Sequence, residues 1–273
     1  MTMCYSKEVQ LLTASIILLS CLFYYFYYRI HFTKFKQPWL LPFLRYTIIA
    51  FVLIGFHQLF EFLSLVTQNV IIYKIGLLFS ISVMYFALRS FEILVNKKVH
   101  SWIALILVAV MGTHLFLVPV SFGAASFYVQ HYSTFFWGAT WIILFAYWHI
   151  CVWQQRKELR DDSSRQMLII YLLAGTDIAF LLSIIYSVFG SFYFGVNYCY
   201  DSPSIWCTFM VIQALFVPLF LSALPALFKR PKKATVLSMK KTILYLIISF
   251  IIVVLIALTL PAFSCFTWKF VFP

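Results

Sequence analysis

Eight stretches of this chain are apolar for about the 20 residues that a helix needs to cross a bilayer. They cover residues 9–28, 40–66, 70–95, 102–122, 135–153, 167–194, 205–228 and 242–261. Backbone groups in hydrocarbon have no water to bond, so such stretches are confined to helices or closed barrels. Continuous apolar runs, without strict alternation, select helices. The composition agrees: 64% of the 273 residues are hydrophobic and only 10% charged, against about 25% charged in an ordinary soluble domain. The sequence therefore predicts an all-α, polytopic transmembrane bundle of about eight spans, forming one domain over residues 1–273. The first stretch is not expected to be a cleaved leader, because its apolar run is long and no small-residue cleavage site follows.

The formal charge of +12 would suit a nucleic-acid partner, but its distribution does not. Arg29, Lys34 and Lys36 lie in the first connection, and Lys97 and Lys98 in the third. Arg156, Lys157, Arg160 and Arg165 lie in the fifth, and Lys229, Arg230, Lys232, Lys233, Lys240 and Lys241 in the seventh. The second has at most Lys74, and the fourth and sixth have neither Lys nor Arg. This alternation is the positive-inside pattern. It places the odd connections in the cytoplasm and both termini outside. Membrane lipid and a small solute are the partners this leaves; nucleic acid is not expected.

Ionisable groups inside a span are costly and mark sites. His57 and Glu61 are four residues apart, so on a helix they share a face. The assigned orientation puts both in the outer half of the second span. His114 lies in the outer half of the fourth, Asp177 near the middle of the sixth, and Gln213 in the outer half of the seventh. An outward-opening polar pocket of His57, Glu61, His114 and Asp177 is expected, with Gln58 and Gln213 behind them. Within it Glu61 accepts a proton or cation, and His57 tunes it. The pocket would serve a small solute, a lipid headgroup or a proton.

Other chemistries fit the same residues. His57, Glu61 and His114 offer three zinc ligands with an open fourth position, although their spacing is not a zinc signature. His57 and His114 could ligate a haem iron from two sides. Plain hydrogen bonding between helices also uses such groups. The cofactor is therefore left open, as is whether the chain is an enzyme at the outer leaflet or a structural subunit without a site. Arg89 and Glu92, three apart near the cytoplasmic end of the third span, are expected to form an ion pair or a gate. His149, beside Trp148, is expected at the cytoplasmic interface. Pro218 and Pro225 should kink the seventh span.

Of six cysteines, Cys4, Cys199, Cys207 and Cys265 fall on the outer side, and Cys21 and Cys151 within spans. A Cys199–Cys207 disulfide closing a short outer loop is expected. A thiol-exchange role with Cys4 is the alternative, against which the absence of Cys-x-x-Cys counts.

The opening Met3-Cys4-Tyr5-Ser6 and the motif Phe56-His57-Gln58-Leu59-Phe60-Glu61 resemble a family of uncharacterised prokaryotic multi-span proteins. Those open Met-Cys-aromatic-Ser and carry a Gln-rich, Glu-containing motif in the second helix. Here His57 stands where that family has Gln. The resemblance implies a multi-helix fold, a prokaryotic plasma membrane, and weight on Cys4 and Glu61; it implies no activity. The topology has a direct check. A reporter fused between Lys229 and Lys241 is expected to read as cytoplasmic, and a periplasmic signal there overturns the assigned depths.

Overall fold

The structure is a computed structural model. It describes residues 7–31, 39–95, 101–123, 126–129, 143, 145–151, 154, 168, 172, 175–179, 181–183 and 205–228. Five helices are continuous within it: α1 (Lys7–His31), α2 (Leu40–Thr67), α3 (Val70–Val95), α4 (Trp102–Leu117) and α5 (Ile205–Phe228). Three of these, α1 to α3, are long and apolar enough to cross a membrane, while α4 and the 209–224 part of α5 are shorter apolar helices. Every described residue of the expected fifth and sixth spans is helical. The expected eighth span lies outside the described residues.

A two-residue corner makes α2 and α3 an antiparallel hairpin. Gln68 adopts the left-handed conformation (φ 55°) that ends α2, and its N–H returns to the Ser64 carbonyl. Asn69 then caps α3, its Oδ1 accepting the N–H of Ile71 at 2.9 Å and of Ile72 at 3.3 Å. These caps satisfy groups that a helix end leaves open. They fix the start of α3 at Val70, as the sequence predicts.

The fourth span differs from expectation. The apolar run over 102–122 does not stay helical, because α4 stops at Leu117 and residues 120–123 begin a hairpin. Val118 precedes Pro119 and takes extended geometry (ψ 133°). A proline disfavours the helical region for its predecessor and cannot donate a backbone hydrogen bond. At 16 residues, α4 is about 24 Å long. Strands β1 (Val120–Gly123) and β2 (Ser126–Val129) pair antiparallel beyond it. Lys74 completes the stop. Its buried Nζ donates to the carbonyls of Phe116 (3.1 Å) and Val118 (2.7 Å), a cation at the negative end of a helix. Lys74 therefore belongs to the packing of α3 on α4.

The helices pack in a row, α5 on α1, α1 on α2, α2 on α3 and α3 on α4. The main core joins Ile17 and Cys21 to Phe43, Leu44, Met84, Leu88, Phe220 and Leu221. Outward faces stay apolar: Leu19, Phe23 and Ile30 on α1, and Leu105, Ile106 and Leu117 on α4, are all exposed. That pattern suits a hydrocarbon solvent. In α5, Pro225 removes the N–H that would bond the Leu221 carbonyl four residues back. The Tyr28 hydroxyl of α1 donates to that carbonyl instead, so the proline defect becomes a tie between two helices.

Two glycines set how closely α2's neighbours approach. A Cβ at Gly55 would lie 2.8 Å from the Leu18 side chain of α1. One at Gly76 of α3 would lie 3.1 Å from Phe60 Cβ and 3.4 Å from the His57 carbonyl oxygen. Small residues let membrane helices meet backbone to backbone. Gly76→Val should therefore push α3 off α2 and lower the thermal midpoint in detergent, at a cost of about 1–3 kcal/mol. Gly112→Ala, which meets only the tip of Leu78, is expected to leave the midpoint nearly unchanged.

Candidate functional site

The close approach of α1, α2 and α3 buries a carboxyl group. Glu61 is 3% exposed, His57 0%, and Gln10 and Gln58 2% each. Glu61 and His57 share one face of α2, as the four-residue spacing requires. Gln58, one turn before Glu61, donates from Nε2 to Oε2 at 3.2 Å. Gln10 of α1 reaches the same oxygen at 3.4 Å. His57 Nε2 stands 3.5 Å from Oε1. Ser64 hydrogen-bonds the Glu61 carbonyl at 2.7 Å, which holds the backbone beneath the site.

The His57 ring is fixed from its other side. Nδ1 lies 2.9 Å from the carbonyl oxygen of Gly76. A carbonyl only accepts, so Nδ1 carries a hydrogen and donates it. Nε2 of a neutral ring is then an acceptor facing a carboxyl oxygen. Two bare acceptors repel, so one proton belongs between them, on the ring as an imidazolium or on the carboxyl as an acid. The glycine at position 76 therefore does two things: it admits α3 to contact, and its backbone selects the imidazole tautomer. Gln10 Oε1, buried beside the carboxyl, has no hydrogen-bond partner among the described residues.

The other expected pocket residues are placed elsewhere. His114 is half-buried in the last turn of α4, whose main neighbour is α3 rather than α2. Among the described residues no three His, Cys, Asp or Glu side chains gather as a metal would need. Asp177 has a different partner from the one expected. Its Oδ1 lies 2.9 Å from His149 Nε2, and His149 Nδ1 lies 2.8 Å from the Phe145 carbonyl. His149 is thus paired with Asp177, beyond the interface role read from its neighbour Trp148. Gln213 is buried on α5, and its Nε2 has no hydrogen-bond partner among the described residues.

Arg89 pairs with Glu92 through Nη1 and Oε2, and its guanidinium sits 5.6 Å from the centre of the Tyr46 ring. Glu92 Oε1 also accepts the Ser101 N–H at 3.1 Å, so this ion pair ties the end of α3 to the start of α4. A small, mostly apolar cleft lies beside it, lined by Phe43, Ser90, Phe91, Leu94, Trp148 and Leu172. Cys21 and Cys151 are buried free thiols. Cys4, Cys199 and Cys265, and the side chain of Cys207, lie outside what is described, and the expected Cys199–Cys207 bridge with them.

Gln10 is the residue that sequence reasoning missed. The available signal was a lone Gln one turn inside the first apolar helix. Its role appears only through Glu61, 51 residues away. Removing the carboxyl should cost more than neutralising it. Glu61→Ala strands two buried amides and a ring, whereas Glu61→Gln keeps an acceptor for them. The alanine variant is expected to be less stable than the glutamine variant by about 1–3 kcal/mol, read from thermal midpoints in detergent. Comparison of the chain with protein-family models, with curated proteins and with solved structures gives no match.

Proposed function

We propose that this chain is an eight-span membrane protein with both termini outside, whose outward-facing site binds a proton on the His57–Glu61 pair. The prokaryotic plasma membrane is the proposed location, lipid its surroundings, and Glu61 the acceptor. One observation carries the reading. A fully buried carboxyl is met by two amide donors on one oxygen and by an imidazole of fixed tautomer on the other. Isolated charges in such surroundings are costly, and a carboxyl–imidazole pair that holds or releases one proton is a common means of keeping the group. Gln10 and Gln58 stabilise the ionised form of Glu61, and Gly76 holds His57 ready to take the proton.

The positive-inside pattern supports the orientation. It places Glu61 six residues from the outer end of α2, at a depth of about 9 Å. A small solute or a lipid headgroup reaching the site would meet the same carboxyl.

An infrared difference titration tests this. Protein in detergent, taken from low to high pH, is expected to lose a protonated-carboxyl band as a carboxylate band grows. Glu61→Gln should delete that pair of bands, and His57→Gln should displace the pH at which they interconvert. A Glu61→Gln spectrum identical to that of the unmodified protein would overturn the reading.

A further inference from the structure

The His149–Asp177 pair repeats the design of the His57–Glu61 pair. In each, Nδ1 is committed to a backbone carbonyl, of Gly76 in one and of Phe145 in the other. In each, Nε2 faces a carboxyl oxygen. The second pair is the tighter of the two, at 2.9 Å, and is half-exposed. By the same counting of donors and acceptors, one proton belongs between His149 Nε2 and Asp177 Oδ1.

The two pairs lie at different depths. Trp148 and Leu172 line one cleft with Phe43 and Leu94, so the chain around His149 packs near the beginning of α2. Gly175 packs against Phe216 of α5, and Phe216 stacks edge-on to Phe51 of α2 at 6.5 Å. Asp177 is two residues from Gly175, which puts it near the level of Phe51. Ten residues separate Phe51 from Glu61, about 15 Å along α2. Gln213 is three residues from Phe216 toward the Glu61 end, and its buried amide lacks a protein donor–acceptor partner at Nε2 among the described residues. Ordered water is the usual partner of such a buried group.

We infer that His149–Asp177 is a second, inner proton station, and that the chain carries protons between the His57–Glu61 pair and it. This rests on the reading of Glu61 as a proton site. With the resident proton on His149 Nε2, a proton arriving at Asp177 forms an O–H bond there. Nε2 then releases its own proton on the cytoplasmic side as that N–H breaks, and the Asp177 proton moves to Nε2 as the O–H breaks and a new N–H forms. The starting pair is restored, and one positive charge has moved inward with no other bond changed. Chains of intramembrane carboxyl and imidazole groups are the ordinary means of such relay.

The full chain in liposomes of phosphatidylcholine and phosphatidylglycerol, with a trapped pH-sensitive dye, is the test. A potassium diffusion potential set by valinomycin drives protons inward. The unmodified protein should acidify the lumen faster than protein-free liposomes. Glu61→Gln, Asp177→Asn and His149→Gln should each slow this by at least about tenfold. Asp177→Glu, which keeps a carboxyl, should retain flux. Ser183→Ala, a packing change on the same segment, should conduct as the unmodified protein does. If Asp177→Asn does not fold, His149→Gln and Asp177→Glu answer the same question. Full flux in both Asp177→Asn and His149→Gln, with Glu61→Gln impaired, would overturn the inner station and leave the outer site standing. Flux no faster than in empty liposomes would overturn the path itself, while the infrared titration reads Glu61 independently.

Discussion

A carboxyl group held in the middle of three apolar helices governs this structure. Glu61 has no solvent to solvate it, so its neighbours must. Gln58 comes from its own helix, Gln10 from α1 and His57 from the preceding turn. Each demands that a particular helix stand at a particular rotation. Removing any one leaves a buried polar group with less than its due, which is why such networks specify an arrangement as well as stabilise it. The two glycines of the region serve the same end from the steric side. Gly55 admits α1 and Gly76 admits α3, and without both the amide and the carbonyl could not reach their partners.

Several of the remaining polar groups inside the helices close backbone defects. Pro225 frees the Leu221 carbonyl, and Tyr28 takes it up. Pro119 ends α4, and Lys74 collects the carbonyls left open. Glu92, neutralised by Arg89, accepts the Ser101 N–H at the start of α4. Each of these side chains reaches across to another element, so each of these closures also fastens two elements together. That is the expected economy where no water is at hand to satisfy a loose N–H or C=O. Against this background the two His–carboxyl pairs differ in kind. Neither closes a backbone break, and in each an imidazole nitrogen faces a carboxyl oxygen.

Much of the fold was legible in the chain. The length of the apolar runs located α1 to α3, and α3 starts where expected because Asn69 is a cap and Gln68 a turn. The fourth run was misread past Leu117 because hydropathy does not register a proline's effect on the residue before it. Within the site, the four-residue spacing of His57 and Glu61 was sufficient, since a helix repeats every 3.6 residues. Asp177 was expected at that site because it is ionisable and intramembrane. Its contact with His149, 28 residues away, depends on how two segments rotate against each other, and no periodicity contains that.

The sequence by itself determined where α1, α2 and α3 run, and which face of α2 carries its ionisable groups. Both follow from local rules: the apolar length needed to cross hydrocarbon, and the angle between successive side chains on a helix. Only the tertiary structure decided the partners. It brought Gln10 to Glu61, the Gly76 carbonyl to His57, and His149 to Asp177. The physical reason is that a hydrogen bond acts over about 3 Å, while the rotation and depth that bring two helices within that reach are set by packing along their whole length.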